Sequence, residues 1–318
     1  MLAGSQVPLG AVSMRFPALL FALALLVTAC PVASQPLPAA GPAPAPAFSP
    51  ANGANLNISP KRVTLDRNHR TGTIYVFNQG TGAATFDISL VDRAMMPDGQ
   101  IMPVVDAQAN PQTKAVADRV KSAQAILQVS PRRITLNPGQ GQTIRLRIAG
   151  APADAAAVEL RSHLTISSLP PREAGTTAEA AAANAPSNEL RFQINALLGL
   201  SVPAIVRMTD PDVRAGIENA RISYERAGAA AGPPTPVLSF DLVRLGANSL
   251  FGNLEVKPQG QLRAAAIGLA RGVGVYTEID RRSMQIALSR APAPGEHLEV
   301  TFTDDDTSPG KLLAKIVL

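Results

Sequence analysis

Beyond residue 55 apolar and polar positions alternate with a period of two. Phe86, Ile88 and Leu90 share one face of TFDISL, Ile144, Leu146 and Ile148 share one face of QTIRLRI, and Leu160, Ser162, Leu164 and Ile166 share one face of LRSHLTI. Such alternation predicts strands with one face in a core and the other wetter. Turn signals punctuate them: Asn78-Gln79-Gly80, Pro97-Asp98-Gly99 and Asn137-Pro138-Gly139. Many short strands so spaced predict a β-sandwich. Residues 114–128 fit either a short helix or an irregular connection. A loop-like run, 170–188 (PPREAGTTAEAAAANAPSN), precedes the most regular alternation: Leu190, Phe192, Ile194, Ala196, Leu198, Leu200 and Val202. At about 3.3 Å per residue that strand would span roughly 40 Å, well beyond the usual five or six residues, and is expected to extend past its own sheet. Pro203 and residues 208–213, with Asp210-Pro211, read as a domain junction. A second strand-rich region follows, with strands expected from about 217–224 and over 237–243, 250–256, 272–278, 283–288, 298–302 and 312–318. The expectation is an all-β chain of two tandem sandwiches, residues 55–206 and 207–318.

The first residues read as an address. Met14-Arg15 is followed by the apolar run 16–29, too short for the roughly 20 residues of a membrane span, so residues 1–34 are expected to be an export signal. The only cysteine, Cys30, closes Val27-Thr28-Ala29-Cys30, which resembles the lipobox of bacterial lipoproteins. Two outcomes stay open: acylation of Cys30 as the first mature residue, or cleavage a few residues on, after Ser34. The Pro/Ala-rich linker 35–54 reads either as a tether to a membrane or as a tail without a role. At about 3.1 Å per residue its stretch 35–51 would reach roughly 50 Å.

Composition narrows the function. Of 318 residues 46% are hydrophobic, enough for packed cores. One cysteine excludes an intrachain disulfide and multi-thiolate metal sites, and three scattered histidines argue against histidine-based metal catalysis. The formal charge of +5 is modest, and no Lys/Arg cluster is dense enough for nucleic acid. Gly272-Val273-Gly274 lacks the third glycine of a dinucleotide fingerprint, and Pro309-Gly310-Lys311 is followed by Leu312 rather than Ser or Thr. Asp304-Asp305-Asp306 reads as a solvated turn and His163 as a structural strand residue. Arg281-Arg282 reads as either a surface pair or a recognition patch. With no convergent acid, base and nucleophile set, neither catalysis nor a cofactor or metal is expected.

The order of segments resembles the PapD-like periplasmic chaperones of fimbrial and pilus assembly. The opening Ile58-Ser59-Pro60-Lys61-Arg62-Val63 is similar to that family's first strand, followed by TIYVFN at 73–78, LQVSPRRITLNPGQGQTIRLRI at 127–148, LRSHLTISSLPP at 160–171 and the long strand 190–203. Segments 239–256 and 272–282 resemble a divergent branch. The resemblance implies two immunoglobulin-like sandwiches flanking a cleft, no enzyme activity, a periplasmic location, and pilus or fimbrial subunits and an outer-membrane usher as partners. It implies that Leu190, Phe192, Ile194, Ala196, Leu198 and Leu200 are lent to a subunit lacking one strand. It also implies that Arg62 anchors the subunit's terminal carboxylate, a fit for a planar guanidinium. The family's second anchor is a lysine; the closest alignment places Gly199 there, and Arg207 is the available substitute. The competing expectation is a surface or periplasmic Ig-like structural or adhesive lipoprotein, tethered through Cys30.

Overall fold

The computed structural model describes residues 55–151, 159–169, 199–226, 234–261 and 264–318. They lie in one compact unit running from Phe48 to the C-terminus. The first strands are β1 (Leu56–Ser59), β2 (Val63–Asp66), β3 (Thr71–Asn78) and β4 (Ala84–Val91). A small insertion follows: β5 (Arg93–Met95), β6 (Ile101–Pro103), α1 (Val104–Ala109) and α2 (Pro111–Ala117). Next come β7 (Leu127–Ser130), β8 (Arg133–Leu136), β9 (Gly141–Ile148), β10 (Leu160–Ser168) and β11 (Gly199–Arg207). The remaining strands are β12 (Ala215–Glu225), β13 (Thr235–Arg244), β14 (Leu250–Pro258), β15 (Gly268–Val275), β16 (Arg281–Ala287), β17 (Leu298–Asp304) and β18 (Leu312–Val317). The chain is all-β apart from α1 and α2 among the described residues.

Two face-to-face sheets form the first sandwich, in the orders β1-β3-β9-β7 and β2-β11-β10-β4-β8. Their inward positions are those the alternation marks: Phe86, Ile88, Ile144, Leu146, Ile148, Leu164 and Ile166 are buried in one core. The opening strand changes sheets, β1 pairing antiparallel with β3 and β2 pairing parallel with β11. The second sandwich stacks β12-β13-β16 on β15-β14-β17-β18 around Phe240, Leu250, Leu254, Val300 and Phe302.

Three expectations need correction in detail. Strand β11 passes through Pro203 to Arg207, so this proline is not a break. Neighbour β2 joins β11 only from Ala204 onward, and an unpaired flank is where a strand tolerates proline. The open stretch 114–128 holds the end of α2, whose Asn110 side chain accepts from the backbone of Gln112 ahead of Pro111, and then turns before β7. The strand expected over 272–278 starts at Gly268 and ends at Val275, leaving Tyr276 and Glu278 in the turn beyond it.

Strand β11 serves both cores. Val202, Ala204 and Val206 point into the first, while Ile205, fully buried on the opposite face, packs into the second with Met95. The alternation of a half-wet strand is thus covered on both sides, as is that of β10, where Arg161 and His163 are buried as completely as Leu164. These polar side chains lie on the face of the first sandwich that meets the second.

Candidate carboxylate anchor and strand edge

The register places the polar residues of that face in rows. β2, β11 and β10 are neighbours, and Val63 pairs with Ala204, which pairs with Ser162. Arg62, one residue before, is level with Pro203 and its partner His163. Successive rows on the same face carry Thr64, Ile205 and Arg161, then Asp66, Arg207 and Glu159.

Arg62 and Arg207 converge on one carboxylate. Arg62 Nη2 donates to Asp306 Oδ2 at 2.9 Å, and Arg207 Nη1 donates to the same oxygen at 2.8 Å. Thr64 Oγ1 donates to Asp306 Oδ1 at 3.1 Å. Asp306 is therefore not in a solvated turn: the β17–β18 connection folds it against the first sandwich, with Asp304 buried and accepting from the backbones of Asp306 and Ser308. Burial pushes the Asp306 carboxyl up, but the charges and hydrogen bonds of Arg62 and Arg207 prevail and hold it below its ordinary value.

The two arginines differ in what they have left to offer. Arg207, the last residue of β11 rather than beyond it, donates through Nε to Glu159 at 2.9 Å, through Nη1 to Asp306, and through Nη2 to Ser249 Oγ at 3.2 Å. Glu159 also receives the Ser249 backbone N–H at 3.1 Å. Burial would raise the Glu159 carboxyl, and the Arg207 charge, Ser249 and Arg62 outweigh it, leaving it lowered. Arg207 is thus a saturated bolt between the sandwiches. Arg62 lies over the Phe251 ring, 4.7 Å from its centroid, with its side chain only 8% exposed, yet its Nε and Nη1 have no hydrogen-bond partner among the described residues.

A second buried pair stands alongside. Arg161 Nη2 and Nη1 grip Glu278 at 2.7 and 3.0 Å, and the guanidinium stacks 3.7 Å from the Tyr276 ring centroid. Glu278 also accepts the Met95 backbone N–H at 2.6 Å, and Arg119 forks onto Asp280 at 2.8 and 3.1 Å. The insertion after β4 is thereby fastened to the second sandwich. The pair Arg281-Arg282 splits: Arg281 is largely exposed, while Arg282 is partly buried and donates to the Gly274 carbonyl.

The expected lending strand is only partly described. Leu190, Phe192, Ile194, Ala196 and Leu198 lie outside the described residues, as does Cys30. Leu200 is 36% exposed on β11. From Gly199 to Pro203 β11 pairs with β10 on one side, and no described strand pairs on the other, which β2 takes up from Ala204. Gly199 faces Ser167, four residues along the strand from the row of Arg62.

No protein-family model and no curated protein matches the sequence. Solved structures do match: the YadV chaperone at 10% identity and TM-score 0.41, over 83% of this chain and 99% of that one. The CupB2 chaperone of Pseudomonas aeruginosa matches at 10% identity and TM-score 0.40, over 82% and 97%. A chain of the CsuC–CsuE chaperone–subunit complex of Acinetobacter baumannii matches at 14% identity and TM-score 0.39, over 83% and 98%. The chain is similar to these chaperones.

Sequence reasoning brought Arg62 and Arg207 together but missed Glu159, Ser249 and Asp306, which hold them. The usable signal was Glu159-x-Arg161-x-His163: three ionisable residues on one strand face beside an apolar one. Among the described residues no helix is long and apolar enough to cross a membrane.

Proposed function

We propose that the chain is a periplasmic assembly chaperone for pilus or fimbrial subunits, acting by strand addition and handing its subunit to an outer-membrane usher. The observation that carries the reading is the meeting of a strand edge that no described strand covers with a guanidinium incompletely partnered among the described residues. The edge of β11 over Gly199–Pro203 offers backbone groups for a further strand. β2 runs parallel to β11 and takes the same edge from Ala204 on, so an added strand running parallel to β11 would bring its carboxyl end to Arg62, where β2 begins. Nε and Nη1 of Arg62 suit that carboxylate. The long alternation running into β11 from Leu190 supplies Phe192 and Ile194 as anchors for the subunit's open core. Each large apolar side chain buried there contributes roughly 1.5–3 kcal/mol before ordering costs. Binding of this kind needs neither a cofactor nor a catalytic residue.

The test is co-expression with candidate pilins and co-purification from the periplasm. Ile194→Asp and Phe192→Asp are expected to abolish the complex while leaving the isolated chain folded; unchanged capture in both refutes strand addition. Arg62→Ala is expected to reduce subunit yield about tenfold or more, because a charge-assisted hydrogen bond of roughly 1.5–3 kcal/mol is removed. A normal yield would remove the anchor role.

A further inference from the structure

We infer that His163 is the second donor of the anion site at Arg62. The inference rests on Arg62 being the carboxylate anchor and names what completes it. His163 is 2% exposed, and neither ring nitrogen has a hydrogen-bond partner among the described residues. Buried polar groups are seldom left so, and one that is calls for a role. Its nearest described neighbours on that face are apolar: the Tyr276 ring meets it edge-on with centroids 6.2 Å apart, and its cross-strand partner is the ring of Pro203.

Position ties this imidazole to Arg62. Both are level with Pro203 on the face turned to the second sandwich, one strand away on either side. Two strand spacings separate their backbones by about 9.6 Å, a gap that the Arg62 side chain and a carboxylate can bridge. Two of the neighbouring guanidinium groups are already engaged. Arg207 is held by Glu159, Asp306 and Ser249, and the Nη atoms of Arg161 by Glu278 and the Arg93 carbonyl. Burial and the charges of Arg161, Arg93 and Arg62 lower the His163 pKa to about 3, so at neutral pH the ring is uncharged and offers one N–H. The same three cations make the position attractive to an anion. A neutral donor beside a guanidinium gives a weaker clamp than two cations, suited to release after capture.

Acetate is the probe, followed in the isolated chain by the Arg62 Nε–Hε and His163 ring resonances. The expected result is that both move with one dissociation constant. His163→Leu should weaken acetate binding about tenfold at retained fold, and His163→Gln, which keeps an N–H donor, should restore most of it. Arg62 signals that move without His163, no movement of either, or equal affinity in the leucine variant would each overturn the inference. No subunit is needed, so a failure here is distinct from failed co-purification, which would count against strand addition instead.

Discussion

Arg207→Ala is expected to lower the stability of the folded chain by about 3–5 kcal/mol, read as a fall in the urea midpoint at unchanged slope. The guanidinium is 3% exposed and sits between Glu159, 1% exposed, and Asp306, 12% exposed. Removing it leaves Glu159 buried, with only the Ser249 backbone N–H at 3.1 Å and Asn248 Nδ2 at 3.4 Å to satisfy it. Water cannot replace the charge without opening the seam between the sandwiches, and that opening is the cost. Arg207→Lys should recover only part of the loss, because the three N–H groups of an ammonium leave one nitrogen, whereas Arg207 reaches Glu159, Asp306 and Ser249 from three separate nitrogens. The mostly exposed Arg119–Asp280 fork is the control, and its removal should change stability by no more than about 1 kcal/mol. If Arg207 were a free anchor for a partner's carboxylate, its loss would spare stability and reduce capture alone. A midpoint unchanged in Arg207→Ala would therefore reinstate it as an anchor.

The apolar faces of both sandwiches were legible because a buried sheet face imposes a period of two that local residues alone reveal. Phe86, Ile88, Ile144 and Leu146 needed only their spacing. The other face of β10 was not legible for the same reason: Arg161 and His163 carry the pattern of a wetted face, and what covers them is a turn at 276–278 more than a hundred residues away. Asp306 was misread on equal grounds, since three consecutive aspartates after a strand normally mark solvent. Only the fold of the β17–β18 connection brings the third under two guanidinium groups. The resemblance pointed to Arg62 and Arg207 as a pair, and they do converge, but around an internal carboxylate. Their unequal saturation depends on Glu159 and Ser249, and no spacing in the sequence predicts those contacts.

His163 should make the chain acid-sensitive over a range where its carboxylates are still charged. Its pKa is about 3 in the folded state against an ordinary 6.5, burial being the first cause and the charges of Arg161, Arg93 and Arg62 the rest. Between these values the unfolded chain binds a proton that the folded chain refuses, so stability rises with pH and is lost as pH falls, by up to about 1.4 kcal/mol per unit. From pH 7 to 5 the expected loss is about 2 kcal/mol. Glu159 and Asp306, both held below their ordinary values, add their own losses only at lower pH, so the slope above pH 5 isolates the imidazole. Urea unfolding at pH 7 and pH 5 measures it, and His163→Gln should remove most of the difference. Equal slopes in the two proteins would mean that the ring is hydrated or partnered in solution. Saturating acetate, at constant ionic strength, should flatten the slope of the wild-type chain, because an anion beside the ring stabilises its protonated form and raises its folded-state pKa toward the unfolded one. The same buried, unpartnered nitrogens thus connect a stability measurement to the anion site. A slope that disappears with His163→Gln but ignores acetate would leave the imidazole buried and refused its proton, and would remove it from the anchor.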